Sequence, residues 1–198
     1  MKLIAGLGNP GREYANTRHN SGYMAVERLA EKAGVSITTE KWNALTAVCR
    51  IEGEAVLLMK PLTYMNNSGS AVSQAVNFYK IEPEDILILH DDMDLPTGSV
   101  RIRKRGSSGG QKGMESIIKC LGTDDIARIR IGVGHSRKGE HDLVPDWVLS
   151  PVPKAEKEIF ENAIQAAADA AYAWVYEDLD AVMSKYNIRI REESGDKV

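Results

Sequence analysis

Asp85-Ile86-Leu87-Ile88-Leu89-His90-Asp91-Asp92 is the stretch on which the fold turns. Residues 85–89 read as an apolar strand, central and buried, that runs straight into polar residues. Working outward, residues 2–7 form a second short apolar strand ending in glycines. Asn20 or Ser21 can cap a helix through Ala33, with Met24, Ala25, Leu29 and Ala30 on one face and Gly34 after its end. Residues 46–51 and 55–59 flank Glu52-Gly53-Glu54 as a hairpin. A helix follows over 68–79, and Pro83 marks the next loop. Residues 100–105 alternate apolar with basic, 109–121 form a helix entered from glycines, and 126–133 return as a strand. Residues 135–150 read as a polar loop. A long helical stretch over 154–187 is broken near Asp178, and 188–198 form a charged, frayed tail. The expectation is one α/β domain over 1–198: a mixed, twisted sheet flanked by helices, with C-terminal helices.

Composition narrows the function. A chain of 198 residues is long enough for a core without staples. No apolar run approaches the ~20 residues of a membrane span. The opening Met1-Lys2-Leu3-Ile4-Ala5-Gly6 turns glycine-rich too soon for a signal peptide, and Cys49 and Cys120 fit no zinc or disulfide framework. The expectation is therefore a globular protein of a reducing compartment, the cytoplasm. The net charge is −3, yet residues 95–114 carry Arg101, Arg103, Lys104, Arg105 and Lys112 and no acid. Such a stripe suits a polyanion, and equally an edge strand protected by charge.

Two glycine-rich strings invite familiar readings that their contexts oppose. Gly6-Leu7-Gly8-Asn9-Pro10-Gly11 spells a dinucleotide fingerprint, which requires a helix to open at once. Pro10 lies inside the string, and residues 12–18 have no apolar periodicity. Gly106-Ser107-Ser108-Gly109-Gly110 spells a nucleophile elbow, which needs its serine after a central strand. The preceding strand carries Arg101, Arg103 and Arg105, which argues against burial on both faces.

A third signal is spread along the chain. His19 follows the first glycine loop, Asp91 ends the buried strand, and Asn9 and Asn66 lie in loops after apolar strands. An imidazole backed by a carboxylate is a general base near neutrality, and asparagine amides can hold an oxyanion or a substrate amide. Taken singly, a loop histidine is usually solvated and an Asp after a strand is usually a turn or cap. Spacing does not show convergence.

The same residues fall in ordered motifs. Gly6-Leu7-Gly8-Asn9-Pro10-Gly11 with Tyr14 and Thr17-Arg18-His19-Asn20, then Lys60-Pro61-Leu62-Thr63-Tyr64-Met65-Asn66-Asn67-Ser68-Gly69, resemble the bacterial peptidyl-tRNA hydrolases. So do His90-Asp91-Asp92-Met93-Asp94-Leu95-Pro96-Thr97-Gly98 and Arg128-Ile129-Arg130-Ile131-Gly132-Val133-Gly134. The resemblance implies a monomeric α/β enzyme that cleaves the ester between a peptide and the 3′-terminal ribose of tRNA, recycling tRNA from aborted translation. It implies His19 as the base that activates water, Asp91 as its orienting partner, and Asn9 as the group that distinguishes N-blocked esters. It further implies substrate contacts from Tyr14, Tyr64, Met65 and Asn66, tRNA phosphate contacts from Arg103 and Arg130, and neither metal nor cofactor. A relative that binds RNA without turnover is the alternative. The family usually has His-Asn-Gly after the double glycine, where this chain has Gln111-Lys112-Gly113. Lys112 in the asparagine's place can donate to a carbonyl or meet a phosphate, and within about 6 Å of His19 it would lower that imidazole's pKa.

Overall fold

The computed structural model describes residues 1–135 and 144–190. Its strands are β1 (Lys2–Gly6), β2 (Thr39–Lys41), β3 (Ala44–Ile51), β4 (Glu54–Pro61), β5 (Ile86–Asp92), β6 (Val100–Arg103) and β7 (Ala127–Gly132). Its helices are α1 (Ser21–Lys32), α2 (Ser68–Tyr79), α3 (Lys112–Leu121), α4 (Val144–Val148), α5 (Lys157–Trp174) and α6 (Leu179–Tyr186). The strands form one sheet in the order β2-β3-β4-β1-β5-β7-β6. The four central strands β4, β1, β5 and β7 run parallel, while β2, β3 and β6 are antiparallel to their neighbours. The mixed sheet expected from the sequence is therefore present.

Every residue of β5 is buried because helices cover both faces of the sheet. Leu87 and Leu89 pack with Val26 and Leu29 of α1 and with the alanines of α5. Ile86 and Ile88, pointing the other way, pack with Val72 and Ala75 of α2 and Ile117 of α3. Glycines let α1 approach closely. A Cβ on Gly22 would fall against the backbone of Leu7 and Leu89, and one on Gly6 against the Gly22 carbonyl. The start of α1 is thus pressed onto the C-terminal ends of β1 and β5, where ligands bind in sheets of this kind.

Three departures from the sequence reading have local causes, and one expectation is met. Strand β2 is joined to β3 through Trp42 and Asn43, both at positive φ; the turn lacks the Asn-Gly or Asp-Gly signature that marks such hairpins. Within the expected polar loop, residues 136–143 lie outside the described residues, but 144–148 form α4. Its Trp147 donates to the Gly134 carbonyl at 2.8 Å and stacks on the Arg18 guanidinium at 3.9 Å. The tail does not begin at Ile188, which exchanges two backbone hydrogen bonds of 2.9 Å with Val100 along the outer edge of β6. Residues 191–198 lie outside the described residues. Finally, the break near Asp178 is real: its carboxylate caps α6 by accepting from the Asp180 N–H.

Candidate active site

His19 lies on a 3-10 turn, Arg18–Asn20, immediately before α1, and Asp91 lies in β5. The packing of α1 on the sheet brings them together: His19 Nδ1 is 2.7 Å from Asp91 Oδ2, with side chains 14% and 4% exposed. The imidazole still reaches solvent, whereas the carboxylate does not. Burial works against protonation of His19, but the charge and hydrogen bond of Asp91 outweigh it and raise its pKa above the ordinary 6.5. With Nδ1–H donated to the carboxylate, Nε2 is the nitrogen left with a lone pair.

Asn9 follows β1 and is fixed from two directions. Asn20 Oδ1 accepts its backbone N–H at 2.8 Å, and Asn20 Nδ2 donates to its carbonyl at 2.9 Å. Asn20 therefore occupies the cap position of α1 without capping it, since its side chain is spent on Asn9. The Asn9 side-chain oxygen accepts from the Met65 N–H at 2.8 Å, so its free end is the amide NH₂, a donor.

Met65 and Asn66 open a second 3-10 turn, Met65–Asn67, just before α2; Met65 is buried and Asn66 exposed. Tyr64 precedes it with φ 58° and ψ 161°, a sparsely populated conformation for a bulky residue, and its ring stands 55% exposed. Tyr14, half-buried, ends the Arg12–Tyr14 turn, and its carbonyl accepts from Thr17 N–H and Oγ1.

The start of α3 supplies a group that the sequence marks only as a departure from the family's His-Asn-Gly, with no role attached. Gln111 Nε2 donates to Asp91 Oδ1 at 3.0 Å, on the oxygen His19 leaves free, while Gln111 Oε1 caps α3 by accepting from Met114 N–H at 2.7 Å. Glutamine is not a preferred cap, so no local signal announced it. Lys112, one residue later, is turned to solvent, 68% exposed, with Nζ 3.0 Å from Glu115. The inward position next to the Asp91 carboxylate belongs to Gln111.

Beside this cluster, the register of β6 and β7 sets Arg101 opposite Arg130 and Arg103 opposite Arg128, all on one face of the sheet. Arg128 is buried, with its guanidinium donating to the carbonyls of Ile126, Gly106, Ser107 and Asp124. Arg130 is ion-paired with Asp92, the neighbour of Asp91. Arg103 reaches only the adjacent Ile102 carbonyl, and burial together with the charges of Arg101 and Arg130 lowers its pKa. Like charges crowded in this way favour an anion between them.

The two glycine strings separate from their familiar readings here. After Gly11 come two 3-10 turns, so no α-helix opens directly from the first loop, and where the start of α1 meets that loop its Tyr23 N–H is already given to the Leu7 carbonyl. Ser108 follows β6, at the edge of the sheet, where a nucleophile elbow would need a central strand. Among the described residues, no group of three or more His, Cys, Asp or Glu side chains could hold a metal ion.

The sequence and the fold are similar to those of known proteins. A family model described as peptidyl-tRNA hydrolase matches residues 3–195. The peptidyl-tRNA hydrolase of Brevibacillus brevis is 46% identical over 187 residues, covering 94% of this chain and 98% of its own length. That of Desulforamulus reducens is 49% identical over 189 residues, covering 94% and 89%. A crystal structure of peptidyl-tRNA hydrolase from Acinetobacter baumannii superposes with a TM-score of 0.90 at 38% identity, covering 96% of this chain and 95% of that one. From the family match, these relatives and the shared fold together, the chain belongs to the peptidyl-tRNA hydrolase family and is a hydrolase of that class.

Proposed function

We propose that this chain hydrolyses the ester that joins a peptide to the 3′-terminal ribose of tRNA, with His19 as general base. The observation that carries the reading is the His19 Nδ1–Asp91 Oδ2 contact at 2.7 Å, made by a buried carboxylate and an imidazole that reaches solvent. Asp91 fixes the tautomer, so His19 Nε2 takes a proton from water as the water oxygen bonds to the ester carbonyl carbon. The carbonyl electrons move to oxygen, and the amides of Asn9 and Asn66 stabilise that oxyanion and hold the peptide. Collapse breaks the bond to the ribose oxygen, which leaves with the proton held on Nε2. The carboxylate stays ionised throughout.

The donor end of Asn9 gives the reaction its selectivity. An N-blocked residue presents an amide carbonyl that an NH₂ group can meet, whereas a free aminoacyl ester presents an ammonium that repels a donor. Tyr14, Tyr64 and Met65 line the substrate groove. Arg103 and Arg130 clamp the tRNA phosphates, and Lys112 adds a cation at the rim. The chain acts as a single domain and a monomer, in the cytoplasm, without cofactor. No helix among the described residues is long and apolar enough to cross a membrane.

Deacylation of an N-acetylaminoacyl-tRNA tests the proposal. The His19→Ala variant is expected to lose at least ~10²-fold in kcat, the usual contribution of a positioned base. Binding of tRNA with no His19-dependent turnover would leave an RNA-binding adaptor instead. Turnover lost in Ser108→Ala and kept in His19→Ala would favour a serine nucleophile.

A further inference from the structure

Gln111 has one amide and two obligations. Its oxygen accepts from the Met114 N–H at 2.7 Å, and its nitrogen lies 3.0 Å from Asp91 Oδ1 and 3.1 Å from Met65 Sδ. A side-chain amide can be reversed with little change of shape, so the partners must settle its orientation. Here all of them agree. Reversal would set NH₂ against the Met114 N–H, two donors facing, and would turn the amide oxygen toward a carboxylate and a thioether, neither of which donates. Capping α3 thus dictates that a donor faces Asp91.

The surroundings leave this amide little freedom. A Cβ on Gly113 would come within 2.5 Å of Met65 Sδ and 3.1 Å of Gln111 Oε1, so Gly113, Met65 and Gln111 fill one another's space. The Asp91 carboxylate is in turn held from two other elements, and its backbone from within β5. His19 takes Oδ2, Gln111 takes Oδ1, and the buried His90 donates Nδ1–H to the Asp91 backbone carbonyl at 2.7 Å. A carboxylate with one oxygen tied cannot turn about its last bond, so the other oxygen keeps its aim.

We infer that Gln111 is a positioning residue for the reaction: its amide, oriented by the cap it provides to α3, holds the Asp91 carboxylate so that one oxygen always faces His19. This rests on the reading of His19 and Asp91 as base and orienting partner. Gln111 touches neither reacting atom in that scheme, and its effect passes through Asp91. It also ties the start of α3 to the end of β5, so that helix docking and alignment of the base are one event.

Two variants separate the cap from the hold. Gln111→Ala removes both. Gln111→Ser retains a good N-cap, since serine accepts from the first-turn N–H groups, but is too short to reach Asp91. The readouts are kcat and KM for N-acetylaminoacyl-tRNA and the downfield proton resonance of the His19 Nδ1–H. Both variants are expected to lose roughly tenfold in kcat with KM little changed, as for loss of one hydrogen bond to a charged group. In both, the His19 resonance broadens through exchange with solvent, while the serine variant melts near the wild-type temperature. A serine variant with wild-type kcat and an unaltered resonance would overturn the inference, leaving Gln111 as a cap only. The resonance needs no turnover, so it decides the role of Gln111 even if His19→Ala were to show that another group is the base.

Discussion

Asn20 grips the backbone of Asn9 by both of its polar groups, accepting the N–H at 2.8 Å and donating to the carbonyl at 2.9 Å across eleven residues of chain. The bond pair makes the loop after β1 a rigid part of the α1 entrance, and so sets Asn9 in a constant relation to His19, the residue before Asn20. Asn20 is 2% exposed, and replacing it leaves two backbone groups in search of partners. Asn20→Ala is expected to cost about 2 kcal/mol, which for a chain of this size lowers Tm by roughly 4–8 °C. It should also reduce kcat on N-acetylaminoacyl-tRNA. Thermal melts and steady-state assays check both, and an unchanged melt would show that the grip contributes nothing to the fold.

The side chain of Asn9 makes a separate prediction. Asn9→Asp keeps an oxygen for the Met65 N–H but replaces the outward NH₂ by an acceptor. Such a group welcomes an ammonium and repels a carbonyl. The ratio of activity on N-acetylated over free aminoacyl-tRNA is expected to fall by about tenfold or more, the value of one hydrogen bond turned unfavourable. Equal ratios in the variant and the parent would remove Asn9 from substrate selection.

The pH dependence follows from the direction of the His19 shift. Asp91 raises the His19 pKa above 6.5, so the protonated imidazole persists to higher pH than in a free histidine, and the acid limb of kcat/KM should bend above 6.5. Asp91→Asn removes the charge that raises it, leaves at most a weaker neutral hydrogen bond, and keeps burial, which lowers it; the limb is expected to move to lower pH while kcat falls. The same pair affects stability. A histidine whose folded pKa exceeds its unfolded one stabilises the fold fully below the unfolded value, and that contribution disappears as pH rises through the folded one. Melts of wild type and His19→Ala should therefore converge on going from about pH 5.5 to about 8.5. A gap between the melts that widens over that range would contradict the sign.

Arginines on one sheet face divide into two kinds. Arg103 faces outward with a single backbone contact, so Arg103→Ala is expected to weaken tRNA binding and reduce the slope of log K against log salt by about one. Arg128 is spent on four carbonyls around the 106–107 loop. Arg128→Ala should cost roughly 3 kcal/mol through those orphaned groups and leave the salt slope unaltered. Binding isotherms at several salt concentrations, paired with melts, distinguish the two.

Much of this molecule is written in local pattern. The apolar run before His90 marks β5 as interior, Glu52-Gly53 at positive φ turns the β3–β4 hairpin, and the periodicity of residues 68–79 matches α2. These features depend on neighbours a few positions away, and periodicity reports them directly. Candidate site residues were also nameable, because imidazole, carboxylate and amide groups clustered at strand ends and carried a family resemblance. Their meeting was not. His19 and Asp91 stand 72 positions apart, and their contact exists because Gly6 and Gly22 let a helix settle onto two strand ends. The same holds for Asn20, which composition assigns to a helix cap and packing assigns to Asn9, and for Gln111, whose amide acquires its acceptor only when α3 docks. Short-range preference selects the elements; which polar atoms end within 3 Å of one another is settled by register and close approach, quantities that no single segment contains.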